Sequence, residues 1–154
     1  MARCRKINLM INSIAIASDH AGYQLKQYLI ENLSKEVNIK DFGTDSDESC
    51  DFPDFASQVS EFILNNEDYR GVLICGSGVG MSIAANKISG IRAANVSDVN
   101  TAAQSVEHNN SNVLCLGANN VDRELSKEIV IKFLSSQFIQ EDKYIRRVNK
   151  FEKQ

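Results

Sequence analysis

The sequence is poor in several features that would point to special classes of protein. It has one proline and no tryptophan among 154 residues, and its formal net charge is −3. No apolar run approaches the roughly 20 residues of a membrane-spanning helix, and the charge gives no reason to expect nucleic acid as a partner. Hydrophobic residues make up 43% of the chain and charged residues 24%, which predicts a soluble globular domain with a substantial core.

The spacing of the four cysteines argues against a metal site. Cys4, Cys50, Cys75 and Cys115 lie far apart and form no C-x-x-C pair, so their spacing does not indicate a zinc site. We expect them to be reduced thiols in a cytoplasmic protein.

The N-terminus has some features of an export signal. Arg3, Arg5 and Lys6 precede an apolar stretch, and Ala15-Ile16-Ala17 is similar to a signal-peptidase site. Polar residues interrupt the stretch, however, and cleavage after Ala17 would remove the first predicted strand. We therefore interpret residues 1–12 as a short basic extension and residues 13–154 as a single domain.

Short apolar runs alternate with amphipathic helical patterns along the whole chain. Strands are predicted at 13–18, 37–42, 71–75, 91–96 and 113–117, and helices at 22–35, 53–66, 80–88, 98–107, 121–138 and 141–152. The second strand alternates in polarity, which is typical of a strand near an edge. This order predicts an α/β fold with one five-stranded parallel sheet covered by helices on both faces.

A strand, a glycine turn and a helix start stand at the centre of the chain. The third strand leads through Cys75 into Gly76-Ser77-Gly78-Val79-Gly80. Glycine lets a backbone approach a ligand closely, and a helix start attracts anions. The turn lacks the third glycine of G-x-G-x-x-G, because position 81 is Met, so a dinucleotide-binding fingerprint is disfavoured. No Gly-Lys-Ser/Thr follows it, so the Walker pattern is absent as well. The alternative to an anion-binding turn is a purely structural glycine turn.

Cysteine and histidine side chains lie next to predicted strand and helix ends. Cys75 precedes the glycine turn beside a helix start, an environment in which reactive cysteines occur, although a strand cysteine is more often simply buried. Asp19-His20 follows the first strand, where Asp19 has the alternative role of a helix cap. The other histidine, His108, falls in a predicted polar loop over 108–112. We interpret Cys115 as a core residue.

The C-terminal helix carries a cluster of basic residues. Lys143 and Arg147 are four residues apart and could converge on one anion, although a solvated helix face would look the same. The residues alone therefore predict a small anionic ligand bound at one end of a parallel sheet.

Several longer motifs carry a resemblance to a known family. They are Ser18-Asp19-His20-Ala21-Gly22, Asp51-Phe52-Pro53-Asp54-Phe55-Ala56, the run from Ile74 to Lys87, Gly90-Ile91-Arg92-Ala93-Ala94, His108-Asn109-x-x-Asn112-Val113-Leu114 and Arg147-Val148. In order and without large gaps over about residues 13–150, the chain resembles ribose-5-phosphate isomerase type B.

The resemblance implies a fold, a reaction and an assembly. The fold is a three-layer α/β/α sandwich with a five-stranded, Rossmann-like parallel sheet. The reaction interconverts D-ribose 5-phosphate and D-ribulose 5-phosphate, as in the pentose phosphate pathway, without a metal or an organic cofactor. The assembly is a homodimer, or a dimer of dimers, with sites between subunits.

The resemblance also implies roles for individual residues. Cys75 would move the proton between C2 and C1, His108 would open the furanose ring, and Asp19 would assist proton movement between the sugar oxygens. Ser77, with the backbone of Gly76, Gly78, Val79 and Gly80, would stabilise the enediolate oxygen. Asn109 would position the sugar, and His20, Lys143 and Arg147 would hold the phosphate.

Two positions depart from the family pattern. Asn119 and Lys143 stand where the family usually has arginine, and Lys143 keeps the charge but loses bidentate geometry. The alternatives are therefore an isomerase of another aldose phosphate, such as allose 6-phosphate or galactose 6-phosphate, and a sugar-phosphate-binding module without turnover. Mere binding has no need of a thiol base, which favours the enzyme.

Overall fold

The computed structural model describes residues 8–153. Its strands are β1 (Ser13–Ser18), β2 (Asn38–Asp41), β3 (Arg70–Cys75), β4 (Ala93–Asn95) and β5 (Val113–Gly117). Its helices are α1 (Tyr23–Leu33), α2 (Phe52–Leu64), α3 (Val79–Asn86), α4 (Val99–Asn109), α5 (Arg123–Ser135) and α6 (Asp142–Phe151). Within these residues the strands form one five-stranded sheet in the order β2-β1-β3-β5-β4, and every pairing is parallel.

The sheet separates two hydrophobic layers, as the predicted α/β fold requires. Successive side chains of a strand point to opposite faces, so Ile14 and Ile16 of β1 pack with α1, α4 and α5, whereas Ala15 and Ala17 pack with α2 and α3. Fully buried aliphatic residues fill both layers. The predicted α/β sandwich with a five-stranded parallel sheet is confirmed.

Most predicted elements are found close to their predicted positions. The first strand is confirmed at 13–18, the second strand lies at an edge of the sheet, and Pro53 occupies the first turn of α2. The fourth strand is shorter than predicted, with three residues, and α5 ends at Ser135 rather than at 138. The basic residues of the proposed N-terminal extension, Arg3 to Lys6, lie outside the described residues.

One boundary was wrong in a way that concerns the candidate site. His108 and Asn109 were predicted in a polar loop, but both lie in the last turn of α4. The helix continues because Ala102 and Val106 keep packing against the sheet, and it ends only at Asn110, whose φ of 52° is left-handed. The Asn110 N–H closes that turn on the Val106 carbonyl at 2.9 Å.

The strand order creates a crevice at one end of the sheet. From β1 the chain moves outward to β2, whereas from β3 it moves the opposite way to β4. Ligands of open parallel sheets bind where the direction of winding reverses, beyond the carboxyl ends of the strands. Here that place lies between the ends of β1 and β3.

No helix within residues 8–153 is long and apolar enough to cross a membrane.

Candidate functional site

The carboxyl ends of the parallel strands form one edge of the sheet, which we call the carboxyl edge. The residues that follow β1 and β3 lie there. The register pairs Ser18 with Ile74, so Asp19 and Cys75 follow neighbouring positions on adjacent strands. The Asp19 N–H donates to the Ile74 carbonyl at 3.1 Å, which continues the ladder to the last residues of both strands. The structure therefore brings Asp19, His20, Cys75 and the glycine turn to one edge, as the sequence predicted.

Cys75 lies beneath the glycine turn rather than in open solvent. It is 5% exposed and packs into the core layer under α2 and α3. Its Sγ accepts a hydrogen bond from the Gly78 N–H at 3.1 Å. A backbone donor aimed at sulfur stabilises negative charge there, and α3 begins at the next residue. The sulfur is therefore held in a fixed position at the end of β3.

The hydrogen bond to Cys75 requires a glycine at position 78. Gly78 has a φ of 78°, and a Cβ there would lie 2.3 Å from the Asn95 Oδ1. Both the left-handed backbone and the close approach exclude any other residue without local strain.

Asparagines from two neighbouring segments hold the turn from outside. The Ser77 carbonyl accepts hydrogen bonds from the Asn95 and Asn120 side chains, each at 3.3 Å. The Asn119 N–H donates to the Gly76 carbonyl at 3.0 Å, and Ser77 Oγ accepts from the Val79 N–H at 3.2 Å. The first turn of α3 also presents N–H groups that have no acceptor within the helix. Together these contacts hold the backbone of the turn in one conformation.

Asp19 and His20 leave β1 in a conformation set by their neighbours. Asp19 is 6% exposed, and its Oδ1 accepts from the N–H of Gly22, the residue that caps α1. His20 Nδ1 accepts a hydrogen bond from the Cys50 N–H at 3.3 Å. Because a backbone N–H can only donate, the neutral ring carries its proton on Nε2, where it is free to donate to a ligand.

The remaining candidate residues lie on helices near the edge formed by the amino ends of the strands. The His108 ring stacks on Tyr144 of α6, with centroids 4.5 Å apart and planes 7° from parallel. Lys143 is exposed and contacts Glu141 at 3.0 Å, and this carboxylate raises the pKa of Lys143. Arg147 is exposed one turn further along α6. His108, Asn109, Lys143 and Arg147 thus form a second group.

The two groups do not meet within one chain. Cys75 pairs in register with Gly117 at the end of β5, whereas His108 precedes the start of β5 at Val113. The length of β5 between these levels is roughly 13 Å at about 3.3 Å per residue. The candidate residues of one chain therefore lie in two separate groups, which we call the carboxyl-edge half-site and the helical half-site.

Two cavities among residues 8–153 lie away from Cys75. A cavity of about 450 Å³ lies between the amino end of the sheet and the end of α2, with Arg70 and Asn112 in its wall. Another of about 360 Å³ is lined in part by Asn109 and Arg92. Neither is lined by Cys75. Among residues 8–153, no three His, Cys, Asp or Glu side chains lie close enough together to hold a metal ion.

Sequence reasoning missed several residues that shape the carboxyl edge. Asn95 and Asn120 were not singled out, although Asn95 ends β4 and Asn120 follows β5 at the edge where ligand-facing loops gather. Cys50 was assigned no contact with His20. Its position depends on the path of the segment after β2, and the polar composition of that segment predicts only a turn.

Comparison with known proteins shows the family of this chain. The profile of a family described as Ribose/Galactose Isomerase matches residues 14–151. Ribose-5-phosphate isomerase B of Escherichia coli is 43% identical over 129 residues, which cover 83% of this chain and 87% of that protein.

Solved structures give the same result. A ribose 5-phosphate isomerase of Thermotoga maritima superposes with a TM-score of 0.88 at 43% identity, over 92% of this chain and 98% of the other. Ribose-5-phosphate isomerase B of Mycoplasma genitalium, solved with bound ribulose-5-phosphate, has a TM-score of 0.85 at 41% identity, over 92% and 94% of the chains.

Proposed function

Because this chain belongs to the Ribose/Galactose Isomerase family, we propose that it interconverts D-ribose 5-phosphate and D-ribulose 5-phosphate. The observation that carries the proposal is the Cys75 sulfur, held at a strand end by the Gly78 N–H at 3.1 Å. The relative with bound ribulose-5-phosphate supports the choice of sugar. A binding module would have no use for a sulfur placed in this way.

Cys75 acts as the base of the isomerisation. A proton next to a carbonyl is only weakly acidic, so its base must lie within contact distance of the carbon. Cys75 takes the proton from C2 of the open-chain aldose, and negative charge develops on O1. A proton then moves from O2 to O1, and Cys75 returns its proton to C1. Atoms and charge balance over the cycle.

The glycine turn and Asp19 serve the oxygens of the same substrate. The developing oxyanion lies in a cradle formed by the Ser77 hydroxyl and the N–H groups of Gly76 to Gly80. Of these, the Gly78 N–H is shared with Cys75 Sγ and the Val79 N–H with Ser77 Oγ. Donors fixed in advance stabilise such charge without reorganisation during the reaction. Asp19 is nearly buried beside this cradle and assists the proton transfer between O2 and O1.

The helical half-site supplies ring opening and part of the phosphate contacts. The His108 ring is fixed by its stack on Tyr144, and it moves a proton at the ring oxygen of the furanose. Asn109 positions the sugar beside it. Lys143 and Arg147 hold the phosphate together with His20 Nε2–H from the carboxyl edge. Binding energy at the remote phosphate orients the reacting carbons.

The active form is a homodimer, or a pair of such dimers, in which the two half-sites come from different copies. The separation of Cys75 and His108 in one chain supports this assembly. An apolar pair on α3 next to the carboxyl edge supports it too, because Val79 is 51% exposed and Ile83 58% exposed. A symmetric dimer would bury this pair and complete two sites at once.

A wider substrate range is the second candidate. The Asn119 side chain lies beside Gly76, where a Cβ would be 3.2 Å from Nδ2. A short amide at this place, rather than a long cation, leaves room and removes charge near the cradle. These features favour some turnover of a longer aldose phosphate, such as allose 6-phosphate.

One assay separates the alternatives. Purified protein is incubated in EDTA with ribose 5-phosphate and, separately, with allose 6-phosphate, and ketose formation is measured. We expect turnover of the pentose that survives chelation, with slower turnover of the hexose. Activity lost in EDTA and restored by a divalent metal would contradict a mechanism without a metal, and binding without ketose formation would show a non-catalytic module.

The cellular context is also a proposal. Cys50, Cys75 and Cys115 are free thiols, which supports a reducing, cytoplasmic environment. We keep the division into a basic extension over residues 1–12 and one isomerase domain over 13–154.

A further inference from the structure

A buried lysine has no part in the chemistry described so far. Lys26 of α1 is completely buried and is the bulkiest of the fully buried side chains among residues 8–153. Its Nζ lies 2.8 Å from each carboxylate oxygen of Asp41, whose side chain is 34% exposed. Burying an ammonium group costs much hydration, and an apolar side chain would fill the same space more cheaply. The pair therefore calls for an explanation other than stability.

Asp41 connects this lysine to the backbone beside β1. It is the last residue of β2, and its Oδ1 also accepts a hydrogen bond from the Gly43 N–H at 2.9 Å. The Gly43 carbonyl accepts from the Ser18 N–H at 2.8 Å, and the Thr44 N–H donates to the Ser18 carbonyl at 2.9 Å. The ion pair thus fixes the start of the segment 43–51 against the residue that precedes Asp19.

The other end of that segment contacts His20. The Cys50 N–H donates to His20 Nδ1 at 3.3 Å, and Cys50 Sγ lies 4.0 Å from the same nitrogen. This backbone donor favours the neutral tautomer with its proton on Nε2, whereas the other tautomer would turn Nδ1–H towards Cys50 Sγ. If the segment shifted, both tautomers would become accessible, and Nε2–H would face a ligand only part of the time.

We propose that Lys26 and Asp41 are positioning residues that fix the segment 43–51 and so hold His20 in the tautomer that donates from Nε2 to a phosphate. The phosphate part of this inference rests on the proposed function. The tautomer part rests only on the contacts of the folded chain.

Nitrogen NMR of the histidine rings tests the proposal, because the chain has two histidines. The variants are Lys26→Met, the apolar pair Lys26→Met/Asp41→Leu and the control Lys35→Met, which changes an exposed lysine beyond the end of α1. Each is examined alone and in a titration with inorganic phosphate. The His108 resonances serve as the internal reference.

We expect His20 to be the Nε2–H tautomer in the unaltered protein and in the control. In both Lys26 variants its nitrogen shifts should move towards the average of the two tautomers. Phosphate affinity should fall about fivefold, as expected for one weakened hydrogen bond, and KM for ribose 5-phosphate should rise by a similar factor with little change in kcat. The His108 resonances should stay in place.

The double variant decides the case if Lys26→Met alone fails to fold, since replacing both charges removes the uncompensated one. A folded double variant with the tautomer and phosphate affinity of the unaltered protein would overturn the proposal and leave the pair purely structural. An unaltered protein that forms no ketose would instead overturn the proposed function, and the tautomer comparison would still decide the role of Lys26.

Discussion

The two edges of the sheet carry site residues of different character. At the carboxyl edge the groups are buried or backbone-held, as with Cys75 at 5% and Asp19 at 6% exposure. At the helical half-site Lys143 and Arg147 are exposed side chains on α6, and only His108 is fixed by a stack. Under the proposed function, the strand ends therefore position the reacting atom, whereas exposed helix side chains supply part of the phosphate contacts.

The largest expected effect is that of removing the sulfur at the carboxyl edge. Cys75→Ala should lower kcat by about 10²–10⁴-fold, the usual contribution of a positioned acid or base, while leaving binding of the phosphate nearly intact. The measurement is ketose formation together with phosphate binding.

Cys115→Ala is the matched control on the neighbouring strand. Cys115 is fully buried, so a substrate cannot reach its thiol. Burial also raises the pKa of that thiol. Its removal should cost about 1 kcal/mol of stability and little activity. A Cys75→Ala enzyme that keeps most of its activity would show that the base is another group.

The next effect concerns the helical half-site. His108→Asn should lower turnover of cyclic ribose 5-phosphate about 100-fold, because the ring oxygen loses its proton donor. An open-chain aldose phosphate needs no ring opening and should be affected far less. Equal losses on the two substrates would remove the ring-opening role. Tyr144→Leu is a useful companion, since it removes the stack but keeps the imidazole.

A smaller effect tests the backbone of the glycine turn. Gly78→Ala introduces a side chain at a φ of 78°, where the Cβ would lie 2.3 Å from Asn95 Oδ1. Left-handed backbone costs a residue about 1–2 kcal/mol, and we expect kcat to fall about tenfold or more as the N–H moves away from Cys75.

Gly90→Ala provides the control for backbone strain. Gly90 has a φ of 88° but lies away from the carboxyl edge. A Cβ added at Gly90 would lie 2.8 Å from the movable Leu64 side chain. It should lose similar stability and keep its kcat. Equal kcat losses in the two variants would mean that the turn has no special role.

The smallest effect lies at the start of α4, the helix that links the two edges. Hydrogen bonds from the Thr101 hydroxyl and N–H lower the pKa of Asp98. A carboxylate with a lowered folded pKa stabilises the protein above its unfolded pKa of about 3.9, and this stabilisation is lost as the pH falls through the folded value. Asp98→Asn should therefore lower Tm slightly at neutral pH, and the difference should shrink in acid. A difference that grows on acidification would contradict this account.

The sequence predicted the carboxyl edge better than the helical one, for a physical reason. Asp19 directly follows an apolar strand and Cys75 is the last residue of another, so local pattern alone places them at strand ends. The end of α4 depends on a single left-handed residue, Asn110, which no hydrophobic pattern marks. The strand order and the path of segment 43–51 depend on contacts between distant parts of the chain, such as Lys26 with Asp41, and the sequence pattern does not contain them.

The central claim is that one active site needs the carboxyl edge of one copy and the helical half-site of another. Cys75→Ala and His108→Asn chains are co-expressed with different affinity tags, and the hybrid that carries both tags is assayed with ribose 5-phosphate. In a symmetric dimer the hybrid has one doubly altered site and one intact site, so we expect about half the unaltered activity although each parent is nearly inactive. A hybrid no more active than its parents would show that both residues act within a single chain and would contradict the account.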